Sequence, residues 1–79
     1  MEPIEAELIL RAYENPGLNI KALYTPFLRP GLGETKLYVT VLRLIERGYF
    51  RTDKQIKVHR IFATKGGKTE ATKFFKRRS

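Results

Sequence analysis

The stretch Glu34–Gly48 holds the side chains best placed to do chemistry: Thr35, Lys36, Val39, Thr40, Arg43 and Arg47. At helical spacing they lie opposite Leu37, Val41, Leu44 and Gly48, a stripe at i, i+4, i+7 and i+11 that must face a core. Hydroxyl, ammonium and guanidinium donors aimed outward from one helix can hydrogen-bond to base edges in a DNA major groove, and Val39 offers an apolar group to a thymine methyl. Tyr38 belongs to the same stretch, with its ring expected to pack inward more than to reach DNA. An ordinary solvated surface helix has a similar composition. The elements around the helix therefore carry much of the argument.

Gly31 and Gly33 break the chain before this helix, and Gly48 stands where helices commonly end in a left-handed residue. Beyond it, Tyr49-Phe50-Arg51 and Ile56 to Ala63 have strand character. The polar run Thr52-Asp53-Lys54-Gln55 separates them, so residues 49–63 are expected to form a hairpin. Ile61 and Ala63 would share one side, and Val58, Arg60 and Phe62 the other. Arg51, Lys54, Gln55, Lys57, His59 and Arg60 would then meet phosphates or the minor groove. Such an edge can also discourage pairing with another molecule, but the charge asymmetry of the chain favours DNA. Lys65-Gly66-Gly67 is expected to end the second strand. Thr69 to Arg78 is expected to form a last helix on Ala71, Phe74 and Phe75. Lys73 and Lys76 belong to its basic tail, which touches DNA backbone or solvates the terminus.

Ahead of the central helix, Pro3 fits a first helical turn, and Glu2, Glu5 and Glu7 complement its dipole. Ile4, Leu8 and Ala12, with Ile9 and Tyr13 beside them, make a broad apolar face. Leu10 lies off that face, so two sides of this helix are expected to be buried. Asn15-Pro16-Gly17 stops it. Asn19 can cap a second helix on Ile20, Leu23 and Tyr24, which Pro26 limits. The connection from Arg29 to Gly33 is longer than a minimal helix-turn-helix needs.

Seventy-nine residues allow one domain with a small core and little room for an enclosing substrate pocket. Without cysteine there is neither a disulfide framework nor a thiolate metal site, and His59 has only Asp53 nearby as a co-ligand. Glu5 and Glu7 are no catalytic acid pair, because residues two apart point to different sides of a helix. Gly66-Gly67 lacks the spacing and the lysine-serine ending of a phosphate loop. We therefore expect no enzyme, no metal and no organic cofactor. No identifiable small-molecule effector is expected either. No apolar run nears the ~18 residues that span a bilayer, and the acidic start is unlike a signal peptide. The location expected is the cytoplasm, in association with the nucleoid.

The net charge of +8 is unevenly placed. Residues 1–50 carry six basic and six acidic side chains, whereas residues 51–79 carry ten basic ones against Asp53 and Glu70. Such polarity implies a polyanionic partner. The apolar residues among the final third are too few for an interfacial membrane helix, which favours nucleic acid over a membrane.

Three helices, a hairpin and a final helix are the parts of an α+β, mainly helical winged helix-turn-helix, here expected over 1–79. Leu37-Tyr38-x-x-Val41-x-x-Leu44-x-x-x-Gly48 resembles the L-Y-x-x-L-x-x-L-E-x-x-G signature of PadR-like transcriptional regulators, within the wider MarR-like group. Ala63-Thr64-Lys65-Gly66-Gly67 resembles their L-T-x-x-G segment. The departures are Ile45 where that family usually has Glu, and Ala63 in place of Leu. The resemblance implies a dimeric DNA-binding regulator, with helix 34–47 making base contacts and the 49–63 hairpin as its wing. The expected function is accordingly sequence-specific binding of double-stranded DNA in transcriptional regulation. Two other readings stand beside it: an architectural or segregation-type DNA binder with weak sequence preference, and a winged-helix protein-interaction module. A homodimer is expected through the first and last helices, using Ile4, Leu8, Leu10, Phe74 and Phe75, because adjacent Phe74 and Phe75 point about 100° apart on a helix.

Overall fold

The computed structural model describes residues 1–53 and 60–78. Its elements run α1 (Pro3–Glu14), β1 (Leu18–Asn19), α2 (Ile20–Tyr24), a 3₁₀ turn (Thr25–Phe27), α3 (Glu34–Glu46), β2 (Phe50–Asp53), β3 (Arg60–Ala63) and α4 (Lys65–Arg78). Every backbone-to-core relationship that matters here converges on α3. Leu37, Val41 and Leu44 are fully buried, each stabilising the fold by roughly 1.5–3 kcal/mol. They pack with Leu8, Ile9, Leu23, Phe50, Ile61 and Ala71 from the surrounding elements.

The two ends of α3 are built differently. At its start, Arg29 and Leu32 exchange backbone hydrogen bonds of 3.3 and 2.9 Å across a Pro30-Gly31 turn, so the long connection is a compact turn. At its end, Gly48 adopts φ +82°. Its N–H donates to the Ile45 carbonyl at 3.0 Å, and that of Tyr49 to the Leu44 carbonyl at 2.9 Å. This pair of bonds closes a Schellman motif, which needs a residue that tolerates the left-handed region. Gly48 is the expected stop, with Arg47 as the cap residue.

α1 is clasped on more than one side, because it packs against α4, β3, α2 and α3. Ala6, with a small side chain, is as fully buried as Leu8 and Ile9. Leu10, in contrast, stays exposed, as does Tyr13. Asn19 caps α2 as expected, its Oδ1 accepting from the Ala22 N–H at 2.7 Å.

Two expectations are corrected by the structure. The hairpin is part of a three-stranded antiparallel sheet of order β1-β3-β2, in which Leu18 pairs with Ile61 and Asn19 with Arg60. Lys65-Gly66-Gly67 does not end a strand; it forms the first turn of α4. Thr64 makes this possible, since its Oγ1 accepts from the Gly67 N–H at 3.0 Å and donates to the Gly48 carbonyl at 2.7 Å. Gly67 is buried against the Tyr49 backbone, and a Cβ there would lie 2.3 Å from the Tyr49 carbonyl oxygen. The glycine serves a close approach between α4 and the root of the hairpin.

Candidate nucleic-acid interface

With Leu37, Val41 and Leu44 committed to the core, α3 turns Thr35, Lys36, Tyr38, Val39, Leu42, Arg43 and Glu46 outward. Thr35, Lys36, Val39 and Arg43 are exposed, as the sequence indicates. Thr40 is half-buried, and its hydroxyl donates to the Lys36 carbonyl at 2.7 Å, which leaves only its lone pairs for a ligand. Lys36 Nζ reaches the Gly31 carbonyl at 3.5 Å.

Tyr38 departs from expectation. It is 46% exposed and lines a shallow cleft with Asn19, Ile20, Lys21, Tyr24 and Thr25 at the start of α2. The tyrosine ring that the core uses is that of Tyr24, whose hydroxyl donates to Glu34 Oε1 at 3.4 Å. Burial, and then the Glu34 carboxylate, push the Tyr24 hydroxyl above its ordinary pKa of 10.0.

Arg47 is tied down. Its Nη1 stands 3.3 Å from Glu5 Oε2. The other Glu5 oxygen accepts from the Glu2 N–H at 2.8 Å, capping α1. One buried carboxylate thereby joins the start of α1 to the end of α3. In the sheet, Arg51 lies over its cross-strand partner Phe62, 4.8 Å from the ring centre, and Arg60 is exposed. Lys54, Gln55, Lys57 and His59, expected at the wing tip, lie outside the described residues, as does Val58.

Lys73 and Lys76 are not isolated tail charges. With Lys65, Lys68, Thr69 and Thr72 they form one face of α4 around Tyr13, and Lys68 Nζ sits 3.9 Å from that ring's centre. Lys73 also pairs with Glu70 at 3.7 Å. The lysine row is not visible while Lys65 is read as a strand end and the helix begins only at Thr69. A four-residue extension of the helix puts Lys65 and Lys68 in register with Thr72 and Lys76. Leu42 is not among the residues the sequence singles out, although it stands roughly 140° around the axis from Leu37 at ~100° per residue and is 43% exposed.

Of the residues expected at a dimer interface, Leu8 is wholly buried within its own chain, and Ile4 and Phe74 are partly buried against the same core. Only Leu10 and Phe75 stand exposed. Among the described residues no group of three metal-ligating side chains occurs. Among them, too, no helix is long and apolar enough to cross a membrane.

No protein-family model and no curated protein matches the chain. Solved structures do. The transcriptional regulator SlyA matches at a TM-score of 0.74 and 22% identity, over 94% of this chain and 52% of that one. A MarR transcriptional regulator from Methanosarcina mazei Go1 matches at 0.68 and 18%, over 92% and 50%. SSV1 F-93 matches at 0.68 and 19%, over 100% and 96%. The chain spans about half the length of the first two. The likeness supports the winged-helix fold expected from the sequence, without singling out the PadR-like group. Four helices around a small antiparallel sheet, with an outward-facing α3, give this chain a winged-helix fold, the fold it shares with these solved structures.

Proposed function

We propose that this chain is a sequence-specific double-stranded DNA-binding protein, a transcriptional regulator with α3 in the major groove and the β2–β3 hairpin as its wing. The observation that carries the reading is the outward face of α3, where Thr35, Lys36 and Arg43 surround exposed apolar groups on a rigidly anchored helix. Donors held this way fit base edges. The printed names of SlyA and the Methanosarcina mazei protein as transcriptional regulators support it, as does the basic excess of residues 51–79. On this reading the protein acts by binding, without catalysis, alongside DNA in the cytoplasm.

Titration against a selected duplex and a random one, each at two salt concentrations, tests it. A specific regulator prefers its site by ~10³ or more. Arg43→Ala should weaken the preferred site by about 1–3 kcal/mol and random DNA by less. Unchanged specific binding in that variant would remove α3 as the reader.

The lysine face of α4 favours a second reading, an architectural binder with weak sequence preference, because ammonium groups engage phosphates whatever the sequence. Equal affinity for both duplexes would establish it.

A homodimer forms part of the first reading, since paired α3 helices would meet half-sites ~34 Å apart. Its contact would use Leu10 and Phe75, the members of the expected set that remain exposed. Light scattering should give twice the mass of one chain. A single-chain mass, unaltered by Leu10→Ser or Phe75→Ser, would end the dimer proposal.

A further inference from the structure

The middle of α3's outward face is apolar. Val39 is 39% and Leu42 43% exposed, and neither belongs to the core stripe. Polar groups stand on both sides along the helix, Thr35 and Lys36 toward its start and Arg43 and Glu46 toward its end. The arrangement is an apolar centre in a charged frame, on a chain whose net charge is +8. The excess lies in residues 51–79 and favours a polyanion as the chain's partner, which the proposed role of α3 brings to this face. Within a major groove, the C5 methyl of thymine is the apolar group that a base pair presents.

Leucine has nothing to offer the other edges. Set against guanine, adenine or cytosine, Leu42 would strip water from donors and acceptors without replacing the lost bonds. The same side chain therefore favours thymine and penalises its competitors. Val39 and Leu42 are three residues apart, which puts their Cβ atoms about 5–6 Å from one another. At ~3.4 Å per base along a strand, the pair covers neighbouring or next-neighbouring positions.

From this geometry we infer that α3 reads thymine methyl groups through Val39 and Leu42. The preferred half-site then carries two closely spaced T·A pairs at its centre, flanked by the base pairs that Thr35, Lys36 and Arg43 meet. The inference rests on the proposed role of α3 as the reading helix.

The test starts from duplexes enriched out of a random pool by the full chain. Each thymine of the enriched site is replaced in turn by deoxyuridine, which removes the methyl and keeps the pairing edge. At two positions the replacement should weaken binding about fourfold, the value of one buried methyl-sized group. In Leu42→Ala one of these two losses should vanish, and in Val39→Ala the other. Both residues lie outside the core, so the variants retain the fold.

Equal binding of the thymine and uridine duplexes overturns the inference. So does a uridine penalty that persists in both variants, since the methyl would then act through DNA shape. Arg43→Ala separates the two levels. A change in the selected sequence without any uridine effect leaves α3 as reader and rejects methyl reading. No change in the selected sequence with any α3 variant rejects the reading helix itself.

Discussion

Gly66 and Gly67 are neighbours in the first turn of α4, yet alanine should act on them with opposite sign. A Cβ on Gly66 meets only Thr64 Oγ1, at an ordinary 3.9 Å. Its gain is the entropy removed from the unfolded chain, about 0.4–1 kcal/mol. A Cβ on Gly67 would lie 2.3 Å from the Tyr49 carbonyl oxygen, 3.0 Å from its carbon and 3.1 Å from its Cα. All three are backbone atoms, so no side chain can swing aside, and overpacking costs about 1–3 kcal/mol. The struck carbonyl also accepts the Thr64 N–H at 3.0 Å, and moving it weakens the bond that joins the hairpin root to α4. A net loss of about 2 kcal/mol is expected after the helix gain is counted. For a domain of this size 1 kcal/mol moves the melting temperature by about 4–8 °C. Calorimetry should then show Gly66→Ala melting about 2–8 °C higher than the parent and Gly67→Ala about 8–16 °C lower. Shifts of the same sign in both variants would refute the assignment of Gly67 to a backbone contact.

Two further outcomes follow from polar contacts. Arg11 donates from Nε to the Leu23 carbonyl and from Nη2 to the Ala22 carbonyl, both at 3.0 Å. Arg11→Ala should cost about 1.5–3 kcal/mol, read as a lower urea midpoint at unchanged slope, and Arg11→Lys should recover only part of it because an ammonium lacks the fork. For Tyr24 the folded state holds the phenolic proton more tightly than the unfolded state, owing to burial and then Glu34. The linked stability is fully present below pH about 10 and is lost as pH rises through the higher folded value. Above pH 10 the parent's melting temperature should therefore fall more steeply than that of Tyr24→Phe, and parallel curves would refute the linkage.

The parts of the fold with long periodic signals were legible in the sequence, and the short or doubly determined parts were not. Leu37, Val41 and Leu44 mark α3 unambiguously, and Gly48 ends it for a stated steric reason. β1 was invisible because two residues cannot display an alternation, and its partner β3 is 42 residues or so away in the chain. Gly66 and Gly67 misled because paired glycines argue against a helix locally, while the cap from Thr64 and the approach to Tyr49 are tertiary facts. On the candidate interface, helical spacing alone sets Thr35, Lys36, Val39 and Arg43 on the outward side of α3, where the structure exposes them. Helical spacing sets Leu42 about 140° from Leu37, but that no other described element covers it is a tertiary fact. The pairing of Arg47 with Glu5, 42 residues away, is likewise a tertiary fact that helical spacing does not carry.

Asn19 belongs to two elements at once, and this has a consequence for how the molecule opens. Its backbone pairs with Arg60 in the sheet, while its side chain holds the Ala22 amide at the start of α2. Two residues earlier, the Gly17 amide donates to the Ile61 carbonyl at 3.1 Å. Fraying of β3 at Arg60 and Ile61 must release both the Gly17 amide and the residue that caps α2. The start of β3 and the supporting helix beneath α3 are therefore one cooperative unit for hydrogen exchange. The amides of Gly17 and Ala22 should exchange with a common opening free energy, although one belongs to a loop and the other to a helix.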